Sequence, residues 1–244
     1  MALSMNGRSI SEVSYGGQAV SEMWFGPHLV WSSVRVEFFR TFDPIPLAQA
    51  WQPVGTVRLS EPGMVFVGGL DTTSGVQWSS PRPAWRFTQG SDQRTVDFHL
   101  SPLPSQGRTV DLPAGEWTVE VSGSSDRSSI RLVDTVVAHA PEWETIPIDV
   151  SGLTGREVSH SLATVVVPDG EERLIIVDGT STTASTESAM PSFRIGDRES
   201  RRFRTGGVSH WNVVTGTTSV EIVTRIGVAP VGFSGNVYTL PVPQ

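Results

Sequence analysis

From residue 34 onward the chain is a succession of short segments in which β-branched or aromatic residues alternate with polar ones. Clusters of Pro, Gly, Ser and Asp separate these segments, and no stretch sustains the 3.6-residue period of a helix. This spacing is typical of antiparallel β-sandwiches and jelly rolls. We therefore predict an all-β fold with strands over 34–39, 55–59, 64–67, 84–88, 94–100, 116–122, 128–139, 157–167, 172–178, 192–195, 201–205, 209–214, 218–228 and 236–240.

The length of 244 residues allows one large β domain or two smaller ones. Pro141, Pro147 and Gly152 interrupt the pattern near the middle of the chain. We predict two antiparallel, jelly-roll-like sandwiches over 34–150 and 151–244, with one double-sized sandwich as the alternative. The chain has no Cys, so disulfides and thiolate chemistry are excluded and stability has to come from packing.

One segment, DLPAGEWTVEVSG at 111–123, shows the strand pattern most clearly. A Pro-Ala-Gly turn precedes Trp117, Val119 and Val121, which alternation places on one face of the strand. The segment resembles the strand entry of carbohydrate-binding and other accessory β-sandwiches. Any sandwich needs such a turn, so the pattern predicts a strand rather than a function.

Residues 10–31, ISEVSYGGQAVSEMWFGPHLVW, contain a decapeptide that is nearly repeated. Each copy places apolar residues on both sides of a glycine, a pattern that predicts strand, turn and strand. We expect residues 1–33 to form a β-meander arm. Because so short a meander buries little apolar area, it has to pack on its own domain or on a partner. The residues expected at the assembly interface are Tyr15, Val20, Trp24, Phe25, Val30 and Trp31.

This repeat resembles the N-terminal signature of minor tail and other virion proteins of tailed bacteriophages, especially those infecting actinobacteria. The match covers Ile10, Val13, Tyr15, Gly16, Gly17, Val20, Met23, Trp24, Phe25, Gly26, Leu29, Val30 and Trp31. The chain departs from the signature at Pro27, which stiffens the second turn. The resemblance implies a tail-tip or baseplate component, assembled in the host cytoplasm, that contacts other tail proteins and forms a symmetric homo-oligomer.

The net charge of the chain limits the classes of partner that it can bind. The formal net charge is -7, and all 18 basic residues are Arg. Nucleic-acid binding needs clustered cations that neutralise phosphates, so we expect no nucleic-acid partner. We also expect no signal peptide and no membrane span, because no apolar run approaches the required length of about 20 residues. The run DRESRR at 197–202, continued by Arg204, is interpreted as a solvated, compensated face, with an anion-binding patch as the alternative.

The sequence contains no recognisable catalytic or metal-binding motif. The five His residues, His28, His99, His139, His160 and His210, are not spaced as metal ligands. Serines beside His160 and His210, and Ser234 between glycines, lack the context of a nucleophile elbow. Carboxylates such as Asp97, Glu120 and Glu221 carry no sign of a shared cleft. We predict no enzyme activity, no cofactor and no metal.

Aromatic side chains suggest an alternative function. If two of them were exposed together, Trp78, Trp85, Trp143 and Trp211 would stack on sugar rings, with Arg82, His210 and Asn212 as hydrogen-bonding neighbours. The alternative to a virion component is therefore a carbohydrate-binding or cell-wall-binding module. A host-envelope glycan is also compatible with a tail protein, and an enzyme that degrades envelope polysaccharide is the third and weakest hypothesis.

Overall fold

A computed structural model describes residues 4–5, 8–9, 14–15, 18–19, 22–25, 28–32, 36–46, 50–71, 84–97, 107–122, 131–182, 190–200, 202–203, 205–225 and 230–243. Up to residue 32 the description is of the backbone. The described secondary structure is antiparallel β throughout, without a helix. The prediction of an all-β fold with antiparallel sandwiches is confirmed.

The first six strands form a series of hairpins. They are β1 (Ser4–Met5), β2 (Arg8–Ser9), β3 (Ser14–Tyr15), β4 (Gln18–Ala19), β5 (Glu22–Phe25) and β6 (His28–Ser32). The described pairs are β1 with β2, β3 with β4, and β5 with β6, as separate two-stranded sheets. In the described residues the arm is thus a row of hairpins, whereas the sequence suggested one continuous meander.

The first sandwich consists of two sheets. Its strands are β7 (Phe38–Phe42), β8 (Ile45–Pro46), β9 (Gln52–Leu59), β10 (Gly63–Asp71), β11 (Ala84–Gln89), β12 (Asp92–Asp97), β13 (Arg108–Leu112), β14 (Gly115–Ser122) and β15 (Arg131–His139). One sheet has the order β12-β11-β14-β9, and the other has the order β13-β10-β15-β7, with β8 also paired to β15. A core that includes Trp85, Phe87 and Trp117 fills the space between them.

The second sandwich is built in the same way. Its strands are β16 (Glu144–Leu153), β17 (Val158–Val165), β18 (Arg173–Ser181), β19 (Ser192–Ile195), β20 (Arg198–Glu199), β21 (Gly206–Val214), β22 (Thr218–Thr224) and β23 (Val231–Pro241). The sheet orders are β16-β23-β18-β21 and β17-β22-β19-β20. The core between these sheets includes Phe193, Phe203 and Phe233, whose rings are in contact.

The expected boundary at residue 150 falls inside a strand. β16 begins at Glu144 and pairs with β23 along its length, so it belongs to the second sandwich. The connection between the sandwiches is therefore at 140–143. Residues 202–203, expected in a strand, lie between β20 and β21, and Phe203 is buried in the second core without being part of a strand.

A third core joins the two sandwiches. Phe66, Val136 and Ala138 from the first pack against Leu174, Ile176 and Trp211 from the second. The molecule is therefore a stack of four sheets, and its two inner sheets are buried on both faces. This explains why β18 is apolar at every position from Leu174 to Val177, since alternate residues enter different cores. The outer strand β14 alternates instead: Trp117, Val119 and Val121 are buried and the residues between them are half-buried.

Glycine allows the close approach of the two inner sheets. A Cβ added at Gly107 would lie 1.9 Å from the Phe66 ring, and one added at Gly68 would lie 2.7 Å from Nε1 of Trp211. Phe66 and Trp211 themselves meet edge to face, with ring centroids 6.0 Å apart. Both glycines are therefore needed for the third core rather than for a turn.

Candidate functional site

The hairpins repeat with a period of ten residues. The innermost backbone pairs are Met5 with Arg8, Tyr15 with Gln18, and Phe25 with His28, so two residues connect the strands of each hairpin. The sequence pattern had indicated only the second and third copies. The first copy contains Asn6-Gly7, a dipeptide strongly favoured in two-residue hairpin turns. The sequence therefore did contain a signal for this hairpin.

Five of the six expected interface residues lie on these strands, and Val20 lies outside the described residues. Trp31 pairs with Met23, and Trp24 pairs with Leu29, so Val30 is the extra residue of a bulge. A bulge changes which face the following residues occupy, and simple alternation along β6 does not anticipate this change.

The expected tryptophan platform is not formed. Trp85 is fully buried in the first core, and Trp211 is 3% exposed in the third core. Trp143 is half-buried and donates from Nε1 to the Met64 carbonyl oxygen at 3.2 Å. Trp78 lies outside the described residues. The interpretation of Trp85 and Trp211 as sugar-stacking side chains is wrong, because both serve as core residues.

An aromatic side chain that sequence reasoning missed lies on the outer sheet of the first sandwich. Trp51 is half-buried, and the Arg86 guanidinium carbon lies 4.3 Å from its ring centroid. Arg86 also forms two hydrogen bonds to the Glu120 carboxylate, of 2.7 and 2.8 Å, and this contact raises the pKa of Arg86. The Glu120 carboxylate is therefore held in an ion pair with Arg86.

The charge run at 197–202 is divided between two environments. Glu199 pairs with Arg194 at 2.9 Å and with Arg225, and Arg225 also contacts Glu157 at 2.5 Å. Arg194 lies 3.6 Å from Glu221, so this part is the compensated face that the sequence indicated. The side chain of Arg198 instead lines the groove described below. Arg201 and Arg204 lie outside the described residues.

Arg198 lines a groove between the two sandwiches. The groove has a volume of about 490 Å³ and lies between β7, an end strand of one inner sheet, and β21, an end strand of the other. The guanidinium carbon of Arg198 is 4.5 Å from the Trp211 ring centroid. Burial lowers the pKa of Arg198, and the carboxylates of Asp134 and Asp197 oppose this effect. Of these two, Asp134 also lines the groove.

Two hydrogen bonds join the sandwiches away from the groove. The Thr109 hydroxyl donates to Oδ2 of Asp178 at 2.8 Å, and the Ser209 hydroxyl donates to the Gly107 carbonyl oxygen. Burial raises the pKa of Asp178, although Thr109 and Arg108 both favour its ionised form. These contacts fix the position of one inner sheet relative to the other, and they do not form a cleft.

The three histidines whose side chains the structure describes have structural partners. His139 is fully buried, with Nδ1 at 2.7 Å from the Met64 carbonyl oxygen and Nε2 at 3.2 Å from a Glu37 carboxylate oxygen. Nε2 of His160 lies 3.2 Å from the Thr224 hydroxyl, and Nε2 of His210 lies 3.3 Å from the Arg198 carbonyl oxygen. Within the described ranges no group of three or more His, Cys, Asp or Glu residues is placed to hold a metal ion.

Comparison with models of known protein families finds no match, and neither does comparison with curated proteins. The part of the chain that the structure describes contains no helix long and apolar enough to cross a membrane.

Proposed function

We propose that the chain is a structural component of a tailed-phage virion, a minor tail or tail-tip protein that is anchored by its N-terminal hairpins. The observation that carries the proposal is the row of three hairpins, each with a two-residue connection, repeated every ten residues. The resemblance of residues 10–31 to virion tail proteins supports the same function.

The hairpins call for an external partner on physical grounds. An isolated two-stranded hairpin is marginally stable in water, because it has little apolar surface to bury. In the described pairing each hairpin strand is bonded along one edge. Free strand edges beside aromatic residues accept added strands and bury large areas at low entropic cost. We therefore assign the hairpins to contacts with other tail proteins or with further copies of this chain.

The sandwiches suit the role of a rigid projecting body. Three cores tie the four sheets together, including one that spans both sandwiches. Such a unit holds its shape without the arm, so assembly and projection are divided between two parts of one chain. Rotational symmetry, common in closed homo-oligomers, would repeat the arm around an axis.

The test is incorporation into particles. Phage particles produced with the full chain, with residues 1–33 deleted, or with Gly17→Val are purified and probed for the protein. Valine disfavours the positive φ that a type I′ hairpin turn requires at both of its central residues. We expect the deletion to abolish incorporation and Gly17→Val to reduce it severalfold. The control is Gly216→Val, at an open position where an added Cβ meets nothing within 4 Å. Wild-type incorporation of the deleted chain would refute the proposal.

A further inference from the structure

The buried histidine at the end of β15 faces two acceptors. His139 is 0% exposed. Its Nδ1 lies 2.7 Å from the Met64 carbonyl oxygen, which offers lone pairs only, so Nδ1 carries a proton and donates it. Its Nε2 lies 3.2 Å from Oε2 of Glu37. The protonation of this second nitrogen therefore depends on the carboxylate beside it.

One shared proton satisfies the two facing atoms. Nε2 of His139 and Oε2 of Glu37 are both buried, and neither has a hydrogen-bond partner among the described residues. Without a proton between them, two lone pairs would oppose each other where water does not reach, which is costly. With one proton, the imidazole becomes a cation beside an anion, and the pair is neutral as a whole. The close contact thus indicates that the pair binds a proton in the folded chain.

The remaining neighbours of His139 on the elements packed against it are uncharged. A Cβ added at Gly63 would lie 2.6 Å from Cε1 of His139, so β10 closes one side of the ring with backbone alone. The neighbours come from β7, β10 and the connection after β15, and they are Phe38, Gly63, Met64, Val65 and Trp143. Glu37 is therefore the charged group that the described part of the chain places against the ring.

The pair lies where three segments of the fold meet. Glu37 directly precedes β7, and its backbone N–H donates to the His139 carbonyl oxygen at 3.1 Å. Its Oε1 accepts from the Ser60 backbone N–H at 2.5 Å, in the turn between β9 and β10. His139 is followed by the connection at 140–143 between the sandwiches. A single carboxylate therefore fastens the segment after the arm both to this turn and to the end of β15.

We propose that His139 and Glu37 form a proton-dependent latch on the segment that joins the arm to the first sandwich. In the closed latch the imidazolium holds the carboxylate and fixes the point from which the arm leaves the sandwich. When the proton is lost, the bare Nε2 no longer attracts Glu37, whose side chain is 22% exposed and turns toward water. Because the closed latch binds a proton that the open latch releases, opening becomes easier as pH rises.

The experiment measures hydrogen exchange of the full chain from pH 5.5 to 8.5, with rates corrected for the intrinsic effect of pH. Histidine side chains change their charge between about pH 5 and 8, which sets this range. We expect the amides of residues 36–42 to lose at least fivefold of their protection as pH rises, while those of β14 keep theirs. The ¹⁵N chemical shifts of the His139 ring should report an imidazolium at pH 5.5 and a neutral ring with its proton on Nδ1 at pH 8.5.

Glu37→Gln separates a proton-dependent latch from a merely structural contact. The amide keeps an oxygen for the Ser60 N–H and offers an N–H to the bare Nε2, so the contact no longer needs the shared proton. We expect protection of residues 36–42 in this variant to be equal at both ends of the pH range. Glu142→Gln, at an exposed carboxylate in the connection between the sandwiches, is the matched control and should respond to pH as the wild type does.

Three results would overturn the proposal: protection of residues 36–42 that does not change with pH in the wild type, an equal pH response in Glu37→Gln, or a neutral His139 ring at pH 5.5. All of these readouts use the isolated chain and none involves particle incorporation. The latch therefore stands or falls independently of the proposed role of the arm as a virion anchor.

Discussion

The arm and the sandwiches use the same secondary structure with opposite consequences. In the sandwiches, inner strands such as β18 are paired on both edges and buried on both faces. In the arm, each described strand has one paired edge within a two-stranded sheet. Isolated two-stranded hairpins are marginally stable in water, whereas stacked sheets bury a shared core. The proposal therefore places stability in the sandwiches and makes the arm dependent on its partner.

The largest expected effect on the free energy of unfolding comes from a core substitution in the second sandwich. Phe193 is fully buried and its ring contacts those of Phe203 and Phe233. Phe193→Ala should lower the free energy of unfolding by about 3–5 kcal/mol, because it removes buried apolar area and leaves a cavity. Deletion of residues 1–33 should leave this free energy nearly unchanged. Urea denaturation measures both, and an arm deletion as costly as Phe193→Ala would remove the distinction between the two regions.

The next effect concerns the core that joins the sandwiches. Gly107→Ala places a Cβ in contact with the Phe66 ring, and overpacking of this kind costs about 1–3 kcal/mol. Gly216→Ala is the control, since nothing lies within 4 Å of the added Cβ. Thermal unfolding of the two variants measures the difference. Equal stability would mean that the inner sheets do not pack as closely as described.

A smaller effect depends on pH. Because burial raises the pKa of Asp178 above its ordinary value of 3.8, the folded chain binds that proton more tightly than the unfolded chain does. The stabilisation from this proton is fully present below pH 3.8 and is lost as pH rises through the folded pKa. Asp178→Asn should therefore flatten the fall in stability over this window, measured as urea midpoints from pH 3.5 to 7. Asp169→Asn, at an exposed turn, should keep the wild-type slope.

The smallest effect lies on the outer surface. Glu120→Gln removes the negative charge and one of the two oxygens that accept from Arg86, which is partly exposed. Pairs of this kind contribute about 0.2–1 kcal/mol, because solvent screens them. The unfolding midpoint should fall slightly, and less so at high salt. A loss comparable to that of Phe193→Ala would show that the outer face contributes more than its exposure suggests.

The strand pattern was predictable where one face of a strand is buried. Trp117, Val119 and Val121 alternate with polar residues, and the structure buries them as expected. β16 was missed because Pro147 and the residues of 151–153 look like a linker, although an edge strand tolerates proline. Phe203 was placed in a strand because its neighbours alternate, whereas it fills the core from a connection between strands.

The groove was not predictable from the sequence, because its walls come from residues far apart in the chain. Arg198 belongs to a run of charges that looks solvated, and only the packing of the sandwiches turns it toward Trp211. Trp211 was selected as a sugar-binding residue for its type, but its burial depends on the third core, which no local pattern reveals. By contrast, the ten-residue hairpin repeat is local, so most of it could be recognised.

Hydrogen exchange tests the central claim most directly. Backbone amides at 4–32 are compared with those of β18, first in the isolated chain at a concentration where it sediments as a monomer, and then in the assembled particle. The account predicts rapid exchange of the arm in the monomer, strong protection of the arm in the particle, and protection of β18 in both. An arm already protected as strongly as β18 in the monomer would contradict it.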